Sequence, residues 1–583
     1  MHRVAREYVG TIVGESSTRE FRIAVAQEGV REQDIIAVDA ELHPGGPESV
    51  AERYRVWAKV LRIERLNPLF PSEAGHELAE TRTDPFDTVL SLSREMVTAV
   101  CQVLGVEPEE GDSRGKLAQL RYPPKPATST YKPEAEDLHR VIQGALREKQ
   151  HRSLDIAHLA NRSEIDVRVD GHAVVSRHLA ILAMTGAGKS WAARRLVEQI
   201  ASRKYPMVIF DPHGDYSGLA EVEELKGRVD RYYATFPVFD EDAGTVAGFV
   251  SSLGYKLTDT MATRFDDLFE AARAFWSEDT DERGARSQWL ANCLGKSDIA
   301  KYGIKRDLFL IADIAQAAER ALSTENQEVR DQLADYCWRD LSNYQKRDAG
   351  TLSGIMKRTR RAASVLHRME TTNRKVFGDA QPLPQDRKSI VQDGRVSIVS
   401  LAGYTGDFQA TIYSIIADEI FDARVNGDLK WPALLILEEA HNFVPGKPIT
   451  EAETRSIAVT KQIAQEGRKF GVGLVLISQR PSRLDETTLS QCNSYIILRM
   501  VNPADQAFVR KVVESMSEDE THLLPSLDVG EALLSGQFVN FPVLVKIKEP
   551  ESKGEREEVD AFLALDETRK TLASQAAAKP GAR

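Results

Sequence analysis

Four short segments hold residue types that do chemistry together. AMTGAGKS (Ala183 to Ser190) follows the apolar run Leu179 to Leu182 and precedes a helical pattern opening at Trp191. Strand, glycine-rich loop and helix in that order make a P-loop, in which backbone N–H groups and a helix N-terminus wrap the phosphates of a nucleotide. Lys189 then reaches the β and γ phosphates and Ser190 holds magnesium. The expected nucleotide-binding residues are Thr185, Gly186, Ala187, Gly188, Lys189, Ser190 and Trp191. Ala183 stands where the pattern has its first glycine, a small residue at a strand end. ALLILEEAHNF (Ala433 to Phe443) ends an apolar run in two carboxylates. A P-loop enzyme needs one carboxylate for magnesium and one to orient or deprotonate the attacking water, at the end of the strand beside the P-loop strand. Glu438 is assigned to magnesium, although it is longer than the usual Asp, and Glu439 to the water. GLVLISQRP (Gly473 to Pro481) places Gln479 at a strand tip, where a polar side chain senses the γ-phosphate and couples hydrolysis to motion. IFDPHGDY (Ile209 to Tyr216) sits at the tip of another strand, with Asp211 and His213 candidates for coupling the site to its surroundings. The chemistry implied is magnesium-dependent ATP hydrolysis.

The elements that must hold these residues follow from the apolar pattern. LAILA, MVIF, VSIVSL, ALLIL, GLVLIS and YIILRM, spread over residues 179–500, are wholly apolar runs, as expected of parallel strands covered on both faces. The fold class expected is α/β, a P-loop NTPase core over residues 166–550. Between its second and third strands, about 240–390, lies a stretch rich in Ala, Leu, Arg and Glu. It is read as a helical insertion, because structureless loops of that length are uncommon. Residues 1–125 carry short strand-like runs (Val9 to Gly14, Glu20 to Val25, Arg55 to Ile63) separated by turn residues, which predicts a small N-terminal β-barrel. The Pro-rich stretch Tyr122 to Pro133 opens a linker and helical joint over 126–165, and 551–583 is expected to be a helical or disordered tail.

With 583 residues, 42% hydrophobic and 28% charged, the chain is long enough for several globular domains, and disorder throughout or a fibrous repeat is excluded. The longest apolar stretches fall well short of the ~20 residues of a membrane helix, and MHRVAREY is no signal segment, so a cytoplasmic location and no membrane contact are expected. Four cysteines without a CxxC pair argue against a zinc site or disulfide framework and are read as small buried apolar residues. The 76 basic and 88 acidic side chains leave −12, so any contact with a polyanion needs a local positive surface. MKRTRRAAS (Met356 to Ser364) is one candidate DNA-binding cluster, with Lys357, Arg358, Arg360 and Arg361.

Taken in order, RHLAILAMTGAGKS, IFDPHGDY, LILEEAHNFVP and EGRKFGVGLVLISQRPSRL resemble the HerA family of DNA translocases, relatives of the FtsK pumps. The resemblance covers nearly the whole chain, since the N-terminal segment is similar to that family's HAS-barrel and the insertion to its helical subdomain. It departs at Ala183 and at the Ala157 and His158 pair. The family implies RecA-like domains in a homohexameric ring, with double-stranded DNA in a central channel, driven by ATP and Mg2+. It implies a NurA-type nuclease partner in DNA end resection and recombinational repair, with the barrel as an assembly and docking module. The family also includes motor subunits of antiphage defence complexes with a different effector. By resemblance, Arg468 is an arginine finger reaching the neighbouring subunit's γ-phosphate, and Arg177 a second arginine near the nucleotide.

Overall fold

The structure, a computed structural model, describes residues 7–26, 29–42, 52–66, 96–108, 117–376, 380–514, 516–553 and 561–577. Six antiparallel strands close the N-terminal barrel: β1 (Glu7–Ser16), β2 (Glu20–Val25), β3 (Ile35–Leu42), β4 (Glu52–Leu66), β5 (Met96–Pro108) and β6 (Ser129–Lys132). Their order around it is β1-β2-β5-β4-β3-β6. Its interior is a separate apolar core that includes Ile12, Phe21, Ile23, Val38, Val56, Val60 and Cys101. β6 lies beyond residue 125, within the stretch read as a linker. It pairs with both β1 and β3, and without it the barrel would keep two open edges with unpaired backbone groups.

The core is one twelve-stranded sheet of β7 (Ser153–Leu159), β8 (Asp166–Asp170), β9 (Leu179–Leu182), β10 (Met207–Asp211), β11 (Val229–Tyr233), β12 (Gln381–Pro382), β13 (Val396–Ser400), β14 (Ala433–Leu437), β15 (Val472–Ser478), β16 (Ser494–Leu498), β17 (Glu531–Gly536) and β18 (Val543–Ile547). The order is β12-β11-β13-β10-β14-β15-β9-β16-β17-β18-β7-β8. All pairings from β12 to β16 are parallel, and those from β16 to β8 antiparallel. All six apolar runs expected as strands are strands, and each is buried on both faces. Leu435 and Leu437 point into one core cluster while Leu434 and Ile436 point into the other, the two-residue period of a sheet covered on both sides. The antiparallel extension was not expected. Two of its strands, β8 and β18, alternate buried and half-buried residues, a weaker signal than an unbroken apolar run.

One expected adjacency is corrected. The carboxylate-bearing strand β14 does not lie beside the P-loop strand β9, because β15 is hydrogen-bonded to both and separates them. The neighbours of the P-loop strand are β15, which ends one residue before Gln479, and β16.

The insertion is helical, from Ala243–Ser252 through Asp259–Phe275, Thr280–Leu294 and Leu308–Ser323 to the 28-residue helix Ala349–Val376. Its apolar faces join the core cluster on one side of the sheet. The barrel is tied to this core through a buried ion pair, Lys59 of β4 with Glu520 of the helix Glu518–Leu523, with Lys59 Nζ also 3.3 Å from the Pro542 carbonyl. Cys101 and Cys492 are buried and Cys293 and Cys337 half-buried, all four free thiols. Near the C-terminus a helix runs over Ala561–Ala577. Among the described residues no helix is long and apolar enough to cross a membrane.

Candidate active site

The loop between β9 and the helix Lys189–Ser202 has the geometry that its glycines permit. Gly186 (φ 77°) and Gly188 (φ 96°) adopt left-handed backbone, a region that L side chains rarely visit. A Cβ on Gly188 would also lie 3.0 Å from the Gly530 amide nitrogen, whose N–H donates to the Ala187 carbonyl at 3.0 Å. The turn before β17 thus braces the loop from behind, a contact that no local motif announces. Nothing lies within 4 Å of the corresponding position on Gly186, which leaves space on the open side. With the helix N-terminus directly behind, this cradle fits a nucleotide's phosphates. Trp191, one residue past Ser190, keeps 44% of its surface exposed beside it.

Lys189 leaves the loop and reaches across β15 to the tip of β14. Its ammonium donates to Glu438 and, at 2.9 Å, to Glu439 Oε1. Glu439 is left-handed although it is not glycine (φ 53°, ψ 52°), at a cost of roughly 1–2 kcal/mol for an L residue. The turn that imposes this includes the Asn442 N–H donating to the Glu439 carbonyl at 2.8 Å. Gln479 links the parts: its Nε2 donates to Glu439 Oε1 at 2.6 Å, and its Oε1 accepts from the Thr185 hydroxyl at 2.5 Å. Glu439 Oε2 accepts no hydrogen bond among the described residues, and His441 Nδ1 lies 3.4 Å from it.

The two glutamates sit in different electrostatic surroundings. Burial lifts the Glu438 carboxyl to about 7, although Lys189 and the Tyr216 hydroxyl 2.9 Å away pull it down. Burial also works against Glu439, but there Lys189, with smaller help from His441 and His213, holds the carboxyl below its usual range. Neighbouring carboxyls pushed apart in this way separate a proton carrier from a base, and Glu439 is the one that keeps its charge more firmly. Burial lowers the Lys189 ammonium, yet the two carboxylates more than restore it and leave it raised. Burial, with Arg480, Arg483 and Lys189, lowers His441 despite Glu439.

A pH dependence follows for Glu438. Its folded value of about 7 lies above the reference of 4.5, so between these limits the folded chain keeps a proton that the unfolded chain releases. Stability then falls as pH rises through that window, because the folded state binds more protons there. Thermal unfolding from pH 5 to 7 should show this decline in the wild type and a flatter profile in Glu438→Gln. Equal slopes would place the proton elsewhere.

Sequence reasoning left out Asp215 and Tyr216. Asp211, fully buried, accepts the N–H groups of His213 at 3.0 Å and Gly214 at 2.7 Å. This turn carries Asp215 to 3.4 Å from the Ser190 hydroxyl and Tyr216 onto Glu438. The signal was present as GDY in IFDPHGDY. His213 is exposed on this turn. No group of three His, Cys, Asp or Glu side chains among the described residues is arranged to hold a metal ion. Beside the cradle, Ser190, Asp215 and Glu438 are the protein oxygens that could hold a small hard cation together with phosphates and water.

The structure does not bring Arg177 to the nucleotide loop of its own chain. Arg177 ends a short helix just before β9, whereas the P-loop follows β9, so the strand's length of about 13 Å separates them. Arg468 lies in the last turn of the helix Glu451–Phe470, just before β15, on that same far edge. Both arginines depress the same His172, behind the larger effects of its burial and of Arg152. They form one positive edge opposite the P-loop. The basic cluster also divides. Arg360 pairs with Asp313 and Gln316 inside the insertion, and Arg358 donates to the carbonyls of Lys256 and Gly354. Lys357 and Arg361 are exposed.

Residues 154–420 match the sequence model of the family described as "Helicase HerA, central domain". A probable helicase of Methanocaldococcus jannaschii is 27% identical over 552 residues, 93% of this chain and 90% of that protein. The DNA double-strand break repair helicase HerA of Saccharolobus solfataricus is 27% identical over 560 residues, 94% and 93% of the two chains. Its namesake in Pyrococcus furiosus is 28% identical over 505 residues, 78% of each chain.

Proposed function

We propose, from the match of residues 154–420 to the family described as "Helicase HerA, central domain", that this chain is an ATP-driven motor that moves along duplex DNA in double-strand break repair. The observation that carries the reading is the array of Lys189, Glu439, Gln479 and Thr185 across three adjacent strands, which joins a phosphate cradle to an ionised carboxylate with an open acceptor. The comparisons with repair helicases over most of the chain support the repair setting.

The chain's own groups account for the reaction. The P-loop amides and Lys189 hold the β and γ phosphates, and Lys189 exchanges its carboxylate partners for phosphate oxygens as it does so. Glu439 Oε2 orients a water in line with the γ-phosphate and accepts its proton, and the products are ADP and inorganic phosphate. A magnesium ion, held through Ser190 with Asp215 or Glu438 nearby, would neutralise charge on the phosphates. Gln479, bonded to both the loop and Glu439, transmits the loss of the γ-phosphate to β15.

The finer parts of the reading are a homohexameric ring, duplex DNA in its channel and a NurA-type nuclease as partner. The arginine edge opposite the P-loop supports a head-to-tail ring, in which one subunit's far edge completes the next subunit's site. A motor that meets any sequence makes mostly phosphate contacts, and these depend steeply on salt. ATP hydrolysis should therefore rise when linear duplex is added at low salt and lose that stimulation at high salt. Duplex that leaves the rate unchanged at both salt concentrations would overturn the motor reading.

A further inference from the structure

The helix Ala349–Val376 carries seven Lys and Arg residues and a single carboxylate, Glu370, a net +6 within a chain of −12. Its packed face is Leu352, Ile355, Thr359, Ala362, Leu366 and Asn373, all buried. On the other face, at 100° per residue, Lys357, Arg361, Arg368 and Lys375 fall within about 40° of one line. All four are exposed, and between them along this line stand the small hydroxyl residues Ser364 and Thr371. The stripe is about 27 Å long at 1.5 Å per residue. Among the described residues none of its four cations enters an ion pair, whereas Arg360 on the flank does. Like charges repeated along one helix face repel each other.

The far end of this helix is anchored at the nucleotide edge of the sheet. Asn373, fully buried, donates to the carbonyls of Ser400 at 3.2 Å and Ala402 at 2.9 Å. Ser400 is the register partner of Asp211, and the Leu401 N–H donates to the Asp211 carbonyl at 2.9 Å. Asp211 in turn shapes the turn that sets Asp215 beside Ser190 and Tyr216 on Glu438. A set of hydrogen bonds thus runs from Asn373, on the helix that bears the stripe, to the phosphate cradle, buried at its start and part-buried at Asp215 and Ser190.

We propose that Lys357, Arg361, Arg368 and Lys375 form a sequence-independent contact surface for the DNA phosphate backbone, and that Asn373 couples this surface to the nucleotide site through β13 and Asp211. The proposal rests on the motor reading and adds to it the residues that touch DNA and the route by which contact reaches hydrolysis. Asn373 acts as a positioning residue. Duplex is the occupant favoured by charge, since its phosphates offer a dense negative row to a stripe without carboxylates.

The test compares the wild type, the fourfold variant Lys357→Gln, Arg361→Gln, Arg368→Gln, Lys375→Gln, and Asn373→Ala. Binding of fluorescent linear duplex is measured across a salt series, and ATP hydrolysis with and without duplex. In the fourfold variant the slope of log affinity against log salt should fall by about 3.6 per engaged protomer, at 0.9 per phosphate contact. Its basal hydrolysis should be unchanged. Asn373→Ala should bind duplex with the wild-type slope but lose most of the stimulation of hydrolysis. A fourfold variant with the wild-type slope overturns the stripe and leaves the motor reading standing. A variant that sediments as a smaller species while its DNA slope is unaltered makes the stripe an interface between copies, which also overturns it. Full stimulation in Asn373→Ala overturns the coupling. A wild type that binds no duplex at low salt overturns the motor reading and this proposal together.

Discussion

Glu439→Gln should lower ATP turnover by about 10²- to 10⁴-fold, the range lost when a positioned general base is removed, while nucleotide affinity changes by only a few-fold. Two features make this the largest single-site effect expected within one subunit. Glu439 is held in a left-handed backbone that fixes where its carboxylate points, and Lys189 keeps that carboxylate ionised against burial. The amide keeps the shape and can keep the contact to Gln479, so the fold and the cradle remain, but it cannot accept the water's proton. Turnover is read by phosphate release and binding by titration of a fluorescent nucleotide analogue. Wild-type turnover in this variant would shift the base to Asp215 or Glu438, both within the same cluster.

Arg468→Ala should cost about 10³- to 10⁵-fold in turnover, as expected for loss of an arginine finger, again with nucleotide binding retained. The expectation is specific because of where Arg468 lies. Its helix runs back from the nucleotide edge and ends at the opposite edge, so it cannot serve its own P-loop. That edge is built firmly: His178, buried and pushed down to about 4 by its burial, accepts the Leu474 N–H at Nδ1, and its Nε2 lies 3.1 Å from the Ala464 carbonyl. It thereby pins the start of the P-loop strand to β15 and to the helix bearing Arg468. Co-assembly tests the trans geometry directly. Mixed oligomers of Arg468→Ala and Glu439→Gln contain interfaces in which an intact Glu439 faces an intact Arg468, and these should recover hydrolysis that neither variant shows alone. Mixtures as inactive as their components would remove Arg468 as a trans finger, and the same pairing with Arg177→Ala tests the second arginine.

By itself the sequence determined the P-loop, the strands and the carboxylate pair, because each is written in contiguous residues. AMTGAGKS needs only its own backbone and the helix behind it, and the six apolar runs needed only burial on two faces. The long helix was foreseen as part of an insertion, but its cations were grouped as the run Met356 to Ser364 rather than by face. Arg358 and Arg360 therefore entered the group, while Arg368 and Lys375, eleven and eighteen residues beyond Lys357, were missed. Tertiary structure alone decided that β15 separates the catalytic pair from the P-loop, that Gly530 braces the loop, and that Arg177 and Arg468 share the far edge. It also set the two adjacent glutamates apart, Glu438 raised by burial and Glu439 held down by Lys189. These outcomes depend on strand order and on which charge lies next to which in a buried space. Both are set by packing between segments hundreds of residues apart, and local spacing carries no record of that packing.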